Sequence, residues 1–323
     1  FHAQVRKIAS GAFFKSCIKN VTVPNSVTEI AASAFANADS LESLTVPFIG
    51  GSATENTYML YIFGGSIIET EEDGEITYRV SNSGAGPASL KKLTVTGSLA
   101  AIPDFAFAYL ENVEEFVYTG NVESIGIYGF YGTGLKEVTV PSTVKKIGNY
   151  AFAAMDALES ATVPGSVGDG LGIAVFYEDR NLKVLRFEEG VTVIPYATCY
   201  PYSSYDRITG NTTYSSSLEE LYLPSTLEKI GDLAFAYAGT VTSGINSTEI
   251  RDGVRKCTDR DRKECLLYVG NQRGEPACLA ADGWGTLLCQ LPPADKHYLR
   301  QQDRWLCAGE DRRRMLHRLH RAE

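Results

Sequence analysis

Residues 144–164 read VKKIGNYAFAAMDALESATVP. Val144, Ile147, Ala151 and Phe152 make the phrase Val-x-x-Ile-x-x-x-Ala-Phe, and Leu158, Ala161 and Val163 follow before Pro164. The phrase recurs at Val5, Ile8, Ala12 and Phe13, at Val27, Ile30, Ala34 and Phe35, and at Leu99, Ile102, Ala106 and Phe107. It returns at Val122, Ile125, Gly129 and Phe130, and at Leu227, Ile230, Ala234 and Phe235. Looser copies run over residues 167–176 and through Val191, Ile194 and Cys199. Where nothing is inserted, successive copies stand about 22 to 24 residues apart, a period that marks a solenoid.

The second half of each copy reads as a short strand. Leu41, Leu44 and Val46 end at Pro47, Leu135, Val138 and Val140 at Pro141, and Leu218, Leu221 and Leu223 at Pro224. The last two apolar residues are two apart, so they share one face of an extended segment, and the proline removes the next donor. The first half has mixed three- and four-residue spacing, which suits a tight or helical turn with Ile and Phe inward. Alanine before phenylalanine leaves room for the ring to stack on the ring of the next coil. No such unit can bury its apolar face alone, so stability comes from neighbours. The fold expected is an α/β repeat, a curved, right-handed solenoid with a parallel β-sheet on its concave face and short turns or helical turns on its convex face.

These residues resemble the BspA-type leucine-rich repeat family of bacterial and protist surface proteins. The family pattern is close to Ile-Gly-x-x-Ala-Phe-x-x-Cys-x-x-Leu-x-x-Val-x-Ile-Pro. Residues 147–164 follow it almost throughout, with Met155 where the family often has Cys. The resemblance covers about residues 1–239. It implies a leucine-rich repeat solenoid on the cell surface or outside the cell, and a non-enzymatic adhesion or binding role toward host or neighbouring-cell proteins, with no catalytic residues to carry over.

Charge is unevenly spread. Residues 1–239 hold 15 Lys and Arg against 27 Asp and Glu, whereas 240–323 hold 15 against 12. The acidic repeats argue against nucleic acid as their partner. No apolar run is long enough to span a bilayer. The first residue is Phe1 and the repeat is under way by Val5, which reads as a fragment of a longer protein, so a missing export signal does not argue for a cytoplasmic home.

Two insertions interrupt the array, at about residues 48–88 and 200–217. In the first, Asp73-Gly74 between β-prone runs signals a hairpin. Tyr58, Tyr61, Ile62 and Phe63 before it read as part of an aberrant coil. The second mixes Tyr, Ser, Thr and Asn, with Tyr200, Tyr202, Tyr205 and Tyr214 around Arg207. Paratope loops use that composition, because tyrosine brings large contact area at low entropic cost. The loop is therefore a candidate contact site, and equally a solvated linker between coils.

Within the strands, Thr22, Thr45, Thr94, Thr139 and Thr162 would stack as a column across the sheet. The column breaks at Val117, Arg186 and Tyr222, which are candidate ligand-binding residues on the concave face. A threonine column is also simply a good solvent-facing sheet.

Catalytic chemistry has little material. The pairs Glu114-Glu115, Glu188-Glu189 and Glu219-Glu220 could suggest acid and base partners, but adjacent strand residues point to opposite faces. His2 is the only histidine before the tail, so nucleophile–histidine arrangements are not available in the repeats. The glycine-rich residues 165–172 lack the spacing and the lysine of a phosphate loop. Cys257, Cys265, Cys278, Cys289 and Cys307 accompany His297, His317 and His320 without a Cys-x-x-Cys pair, so no metal site is assigned. No cofactor is expected, and the chain does not read as an enzyme.

Residues 240–265 lie in register with the repeat, but Cys257, Asp261 and Arg262 fall on its Ile, Ala and Phe slots. Charges in core slots are several kcal/mol unfavourable, so this is a degenerate repeat. Residues 266–323 form a basic, non-repeat tail that holds both Trp284 and Trp305 and ends in an arginine-rich run. It reads as a degenerate cap, as a small basic module that meets an anionic surface, or as a disordered segment or the product of a reading-frame error, the last favoured by the abrupt change in residue usage. The whole therefore reads as a surface binding or adhesion module for a protein ligand. Its alternatives are a carbohydrate- or substrate-targeting module, with a glycan partner, or a spacer, of a larger surface enzyme.

Overall fold

A computed structural model describes residues 4–72, 75–80, 86–205, 212–238, 254–255 and 268–269. The repeat phrase becomes one coil of a parallel-strand solenoid. Each coil contributes a long-sheet strand whose inward residues are the aliphatics of the phrase, and these strands pair in parallel with those of neighbouring coils. Asn20–Thr22, Ser43–Val46, Lys92–Ser98 and Glu115–Thr119 form one four-stranded sheet. Glu137–Thr139, Ser160–Val163, Val184–Phe187 and Glu220–Tyr222 form another. Val21, Leu44, Leu93, Val138, Ala161, Leu185 and Leu221 are all buried, as period-two alternation requires.

A second ladder runs through the isoleucines of the phrase. Lys7–Ile8 pairs with Glu29–Ile30, Ser124–Ile125 with both Ala101–Ile102 and Lys146–Ile147, and Val193–Ile194 with Lys229–Ile230. A third is made by the Ala-Phe turns. The amide of each core aromatic donates to the carbonyl that precedes the equivalent residue one coil on: Phe107 to Gly129 at 2.9 Å, Phe130 to Ala151 at 2.8 Å, Phe152 to Val175 at 3.0 Å and Phe176 to Thr198 at 2.7 Å. Cys199 fills the aromatic slot of its coil and donates to Ala234 at 2.7 Å. Hydrogen bonds on up to three sides thus tie neighbouring coils together.

These turns are not helical. Two residues before the aromatic slot the backbone is left-handed at Gly11, Ser33, Phe105, Tyr128, Tyr150, Ala174, Ala197 and Leu233, and two residues after it at Lys15, Asn37, Tyr109, Gly132, Ala154, Glu178 and Tyr237. Each non-glycine there costs about 1–2 kcal/mol, which the ladder and the buried ring between them offset. Of the turns or helical turns expected, the described coils use turns, and the α-helical share of an α/β repeat shrinks to one four-residue helix, Leu60–Phe63. That helix belongs to the aberrant coil. Phe35 donates to Ile62 at 2.9 Å and Met59 to Ala106 at 2.8 Å, so it stacks like the others.

Both insertions are antiparallel hairpins that leave their coil just past the aromatic slot: Ile67–Glu72 with Glu75–Val80 after Phe63, and Tyr202–Tyr205 with Thr212–Ser215 after Cys199. Asp73 and Gly74 lie outside the described residues. So do the degenerate repeat and the tail, except Val254–Arg255, which pairs antiparallel with Tyr268–Val269.

The long sheet is interrupted between Glu115–Thr119 and Glu137–Thr139, which do not pair. There Phe116 and Tyr118, both half-buried, occupy the inward slots that aliphatic side chains hold in Ser43–Val46 and Lys92–Ser98. The wide rings hold the two strands apart while the other two ladders continue past them. A cavity of about 10 Å³, lined by Phe107, Phe116, Phe130 and Leu135 among others, is at most water-sized.

Close approach of the coils requires glycine after several of the isoleucines. A Cβ on Gly148 would stand 2.5 Å from the Ile127 nitrogen and 2.6 Å from the Gly126 carbonyl carbon. Gly148→Val is expected to cost about 2–4 kcal/mol in chemical denaturation, and a change within about 0.5 kcal/mol would show that the coils have slack at this point.

Candidate functional site

Strand register puts the threonine column where the alternation placed it. Thr22 pairs with Thr45, Thr45 with Thr94 and Thr94 with Val117, and in the second sheet Thr139 pairs with Thr162, Thr162 with Arg186 and Arg186 with Tyr222. The interruption therefore separates the breaks. Val117 stands exposed in one sheet, while Arg186 and Tyr222 adjoin in the other. The Arg186 guanidinium carbon lies 3.6 Å from the Tyr222 ring centroid, and the Tyr222 hydroxyl donates to the Glu220 carboxylate at 2.7 Å. That hydrogen bond raises the Tyr222 hydroxyl above its ordinary pKa. Arg186 and Tyr222 form one patch, and Val117 does not join it.

The described residues of the tyrosine-rich insertion pair as an antiparallel hairpin. Tyr202 pairs with Ser215, Ser203 with Tyr214, and Tyr205 with Thr212. The Arg180 guanidinium carbon sits 3.8 Å from the Tyr202 ring centroid. Tyr214, 39% exposed, stacks on Tyr237 with centroids 3.9 Å apart and planes 4° apart. Tyr200 needs correction as a contact residue. It is 7% exposed, and its ring stacks on Tyr177 at 5.6 Å and meets Tyr214 edge-on. Burial pushes its hydroxyl far above the ordinary range. Its place directly after the core slot of Cys199 explains this, since the turn folds it back over the neighbouring coil. Arg207 lies outside the described residues.

Sequence reading missed a run of rings along the turns. Tyr78 of the first hairpin meets Phe105 at 4.8 Å, and contacts continue through Tyr128 (5.0 Å), Tyr150 (5.1 Å), Tyr177 (5.9 Å) and Tyr200 to Tyr214 and Tyr237 of the second hairpin and last coil. One aromatic ridge thus joins the two hairpins. Its signal was faint because the tyrosine changes position: two residues before the core slot at Phe105, Tyr128 and Tyr150, one after it at Tyr177 and Tyr200, and two after it at Tyr237.

The paired carboxylates tie coil to coil. Lys91 donates to Glu114 at 2.7 Å and Lys92 to Glu115 at 2.5 Å. Glu189 accepts both the amide and the hydroxyl of Ser225 at 2.9 Å. Among the described residues no three His, Cys, Asp or Glu side chains group as a metal site, and no helix is long and apolar enough to cross a membrane. The Cys199 thiol is pushed well above its usual value by burial, so it is not a ready nucleophile.

The family model for the BspA type leucine-rich repeat region matches in six copies over residues 1–62, 85–206 and 197–255. No curated protein matches the chain. Among solved structures, the chain is similar to a leucine-rich cell surface protein of Faecalibacterium prausnitzii, at 18% identity over 72% of this chain and 75% of that one, with a TM-score of 0.29. A leucine-rich repeat protein of Eubacterium ventriosum matches at 19% identity over 77% and 65%, TM-score 0.34. The pneumococcal vaccine antigen PcpA matches at 17% over 71% and 63%, TM-score 0.30.

Lys91 holds Glu114 below the ordinary carboxylate value, Lys183 does so for Glu159, and the Ser225 amide for Glu189. A lowered folded-state pKa stabilises above the unfolded value near 4.5 and is lost as pH falls through the folded value. A Glu114→Gln, Glu159→Gln, Glu189→Gln triple variant should therefore lose less Tm than the parent on acidification below about pH 4.5. Parallel Tm–pH curves would remove these carboxylates from the stability account.

Proposed function

The chain belongs to the BspA-type leucine-rich repeat family, and from that membership we propose a non-enzymatic binding module, outside the cell or on its surface, that recognises a protein ligand in adhesion. The binding unit is residues 1–239, curved and right-handed, with the long sheets on the concave side. The observation that carries the reading is the pairing of arginine with tyrosine at two places: half-buried Arg180 on half-buried Tyr202 of the hairpin, and exposed Arg186 on half-buried Tyr222 of the sheet. Tyrosine and arginine dominate the energetics of protein interfaces, and a ring already held by a guanidinium loses little freedom on binding.

A glycan-targeting module is the second reading. Sugars stack on a free aromatic face, whereas Tyr202 and Tyr222 each have a guanidinium on one face, and Tyr214 and Tyr237 cover one another. That geometry favours a protein partner, met by ring edges, hydroxyls and guanidinium groups. A spacer role needs none of these pairs.

The test is binding of the whole chain to immobilised matrix and cell-surface proteins and to a glycan array, beside Tyr202→Ala and Arg186→Ala. Saturable protein binding is expected, weakened by about 2 kcal/mol in one or both variants, with Tm within about 2 °C of the parent. Binding to glycans alone, or protein binding that neither variant alters, would contradict it.

A further inference from the structure

Tyr214 and Tyr237 are the closest ring pair in the described structure, centroids 3.9 Å apart and planes 4° apart, and both rings are open to solvent, at 39% and 46% exposure. They belong to different elements. Tyr214 is on the second strand of the hairpin, and Tyr237 is on the turn of the last described coil. Behind the pair, Tyr200, Tyr177, Tyr150 and Tyr128 follow at 5.1–6.0 Å between centroids. Those rings are close enough to pass an electron hole along the ridge, and the pair at its end has the exposure and proximity to trap it.

We propose that Tyr214 and Tyr237 are a site of oxidative dityrosine cross-linking, which staples the hairpin to the last described coil. Each ring loses one electron and its phenolic proton to become a phenoxyl radical. The two radicals form one carbon–carbon bond between their ortho carbons, and the ortho hydrogens move to the oxygens, restoring two phenols. Two electrons and two protons leave in all. One hydrogen peroxide, acting through a haem peroxidase, takes them up as two waters.

Other stacked pairs are worse placed. Tyr200 is buried, so its partnership with Tyr177 cannot reach an enzyme-borne oxidant, and Tyr128 with Tyr150 is wider at 5.1 Å. This inference is independent of the ligand.

The full chain is treated with a haem peroxidase and hydrogen peroxide, then followed by dityrosine fluorescence and by mass spectrometry of linked peptides. The expected result is a dominant intramolecular link between Tyr214 and Tyr237, lost in Tyr214→Phe and in Tyr237→Phe, each of which keeps the stacked ring and the parent's Tm. The linked protein should also show slower amide exchange over residues 227–238. A dominant link elsewhere, links only between molecules, or equal yield of this link in urea would overturn the proposal.

Discussion

The spacing between coils is the constraint on which everything else depends. Parallel strands hydrogen-bond at about 4.8 Å, so every layer of side chains must fit that repeat. The core rings do: Phe13 and Phe35 stack at 4.7 Å, Phe107 and Phe130 at 5.1 Å, Phe130 and Phe152 at 5.3 Å. Backbone turns must fit it too, which is why Gly126, Gly148, Gly172 and Gly231 stand where a Cβ would strike the adjoining coil. The left-handed residues on either side of most aromatic slots are a consequence. They turn the chain sharply enough for the aromatic amide to reach the next coil, at a local cost that the stack returns through a ring layer and a hydrogen bond.

Where the spacing is exceeded, the sheet opens. Phe116 and Tyr118 put two aromatic rings into one coil on the side where its neighbours carry aliphatics, and pairing with Glu137–Thr139 is lost. The isoleucine ladder and the turn ladder hold the array together across that point. The column of exposed sheet residues is divided there as well, which isolates Val117 from the Arg186–Tyr222 patch and leaves the tyrosine hairpin closer in sequence to the latter.

The period of the Ala-Phe phrase and the alternation of its strands were enough to read the stack, the inward residues and the threonine column, and Asp73-Gly74 between β-prone runs was enough to read the first hairpin. The sheet interruption was not legible. Phe116 and Tyr118 keep the apolar alternation, and only their volume departs from it. The burial of Tyr200 was hidden for a related reason: its composition is that of a contact loop, but its position directly after Cys199 places it under the turn of the adjoining coil. The tyrosine ridge escaped because its members shift along the repeat, so no single slot is tyrosine throughout, and it emerges only when the coils are laid over one another.

Amide hydrogen exchange across the interruption tests the central claim most directly, that the turn ladder carries the array where the sheet does not. The account predicts slow exchange at Phe107, Phe130 and Phe152, with markedly faster exchange for amides of Glu115–Thr119 and Glu137–Thr139 that face the opening than for those of Ser160–Val163. Uniform protection of the long strands, or fast exchange at the aromatic amides, would contradict it.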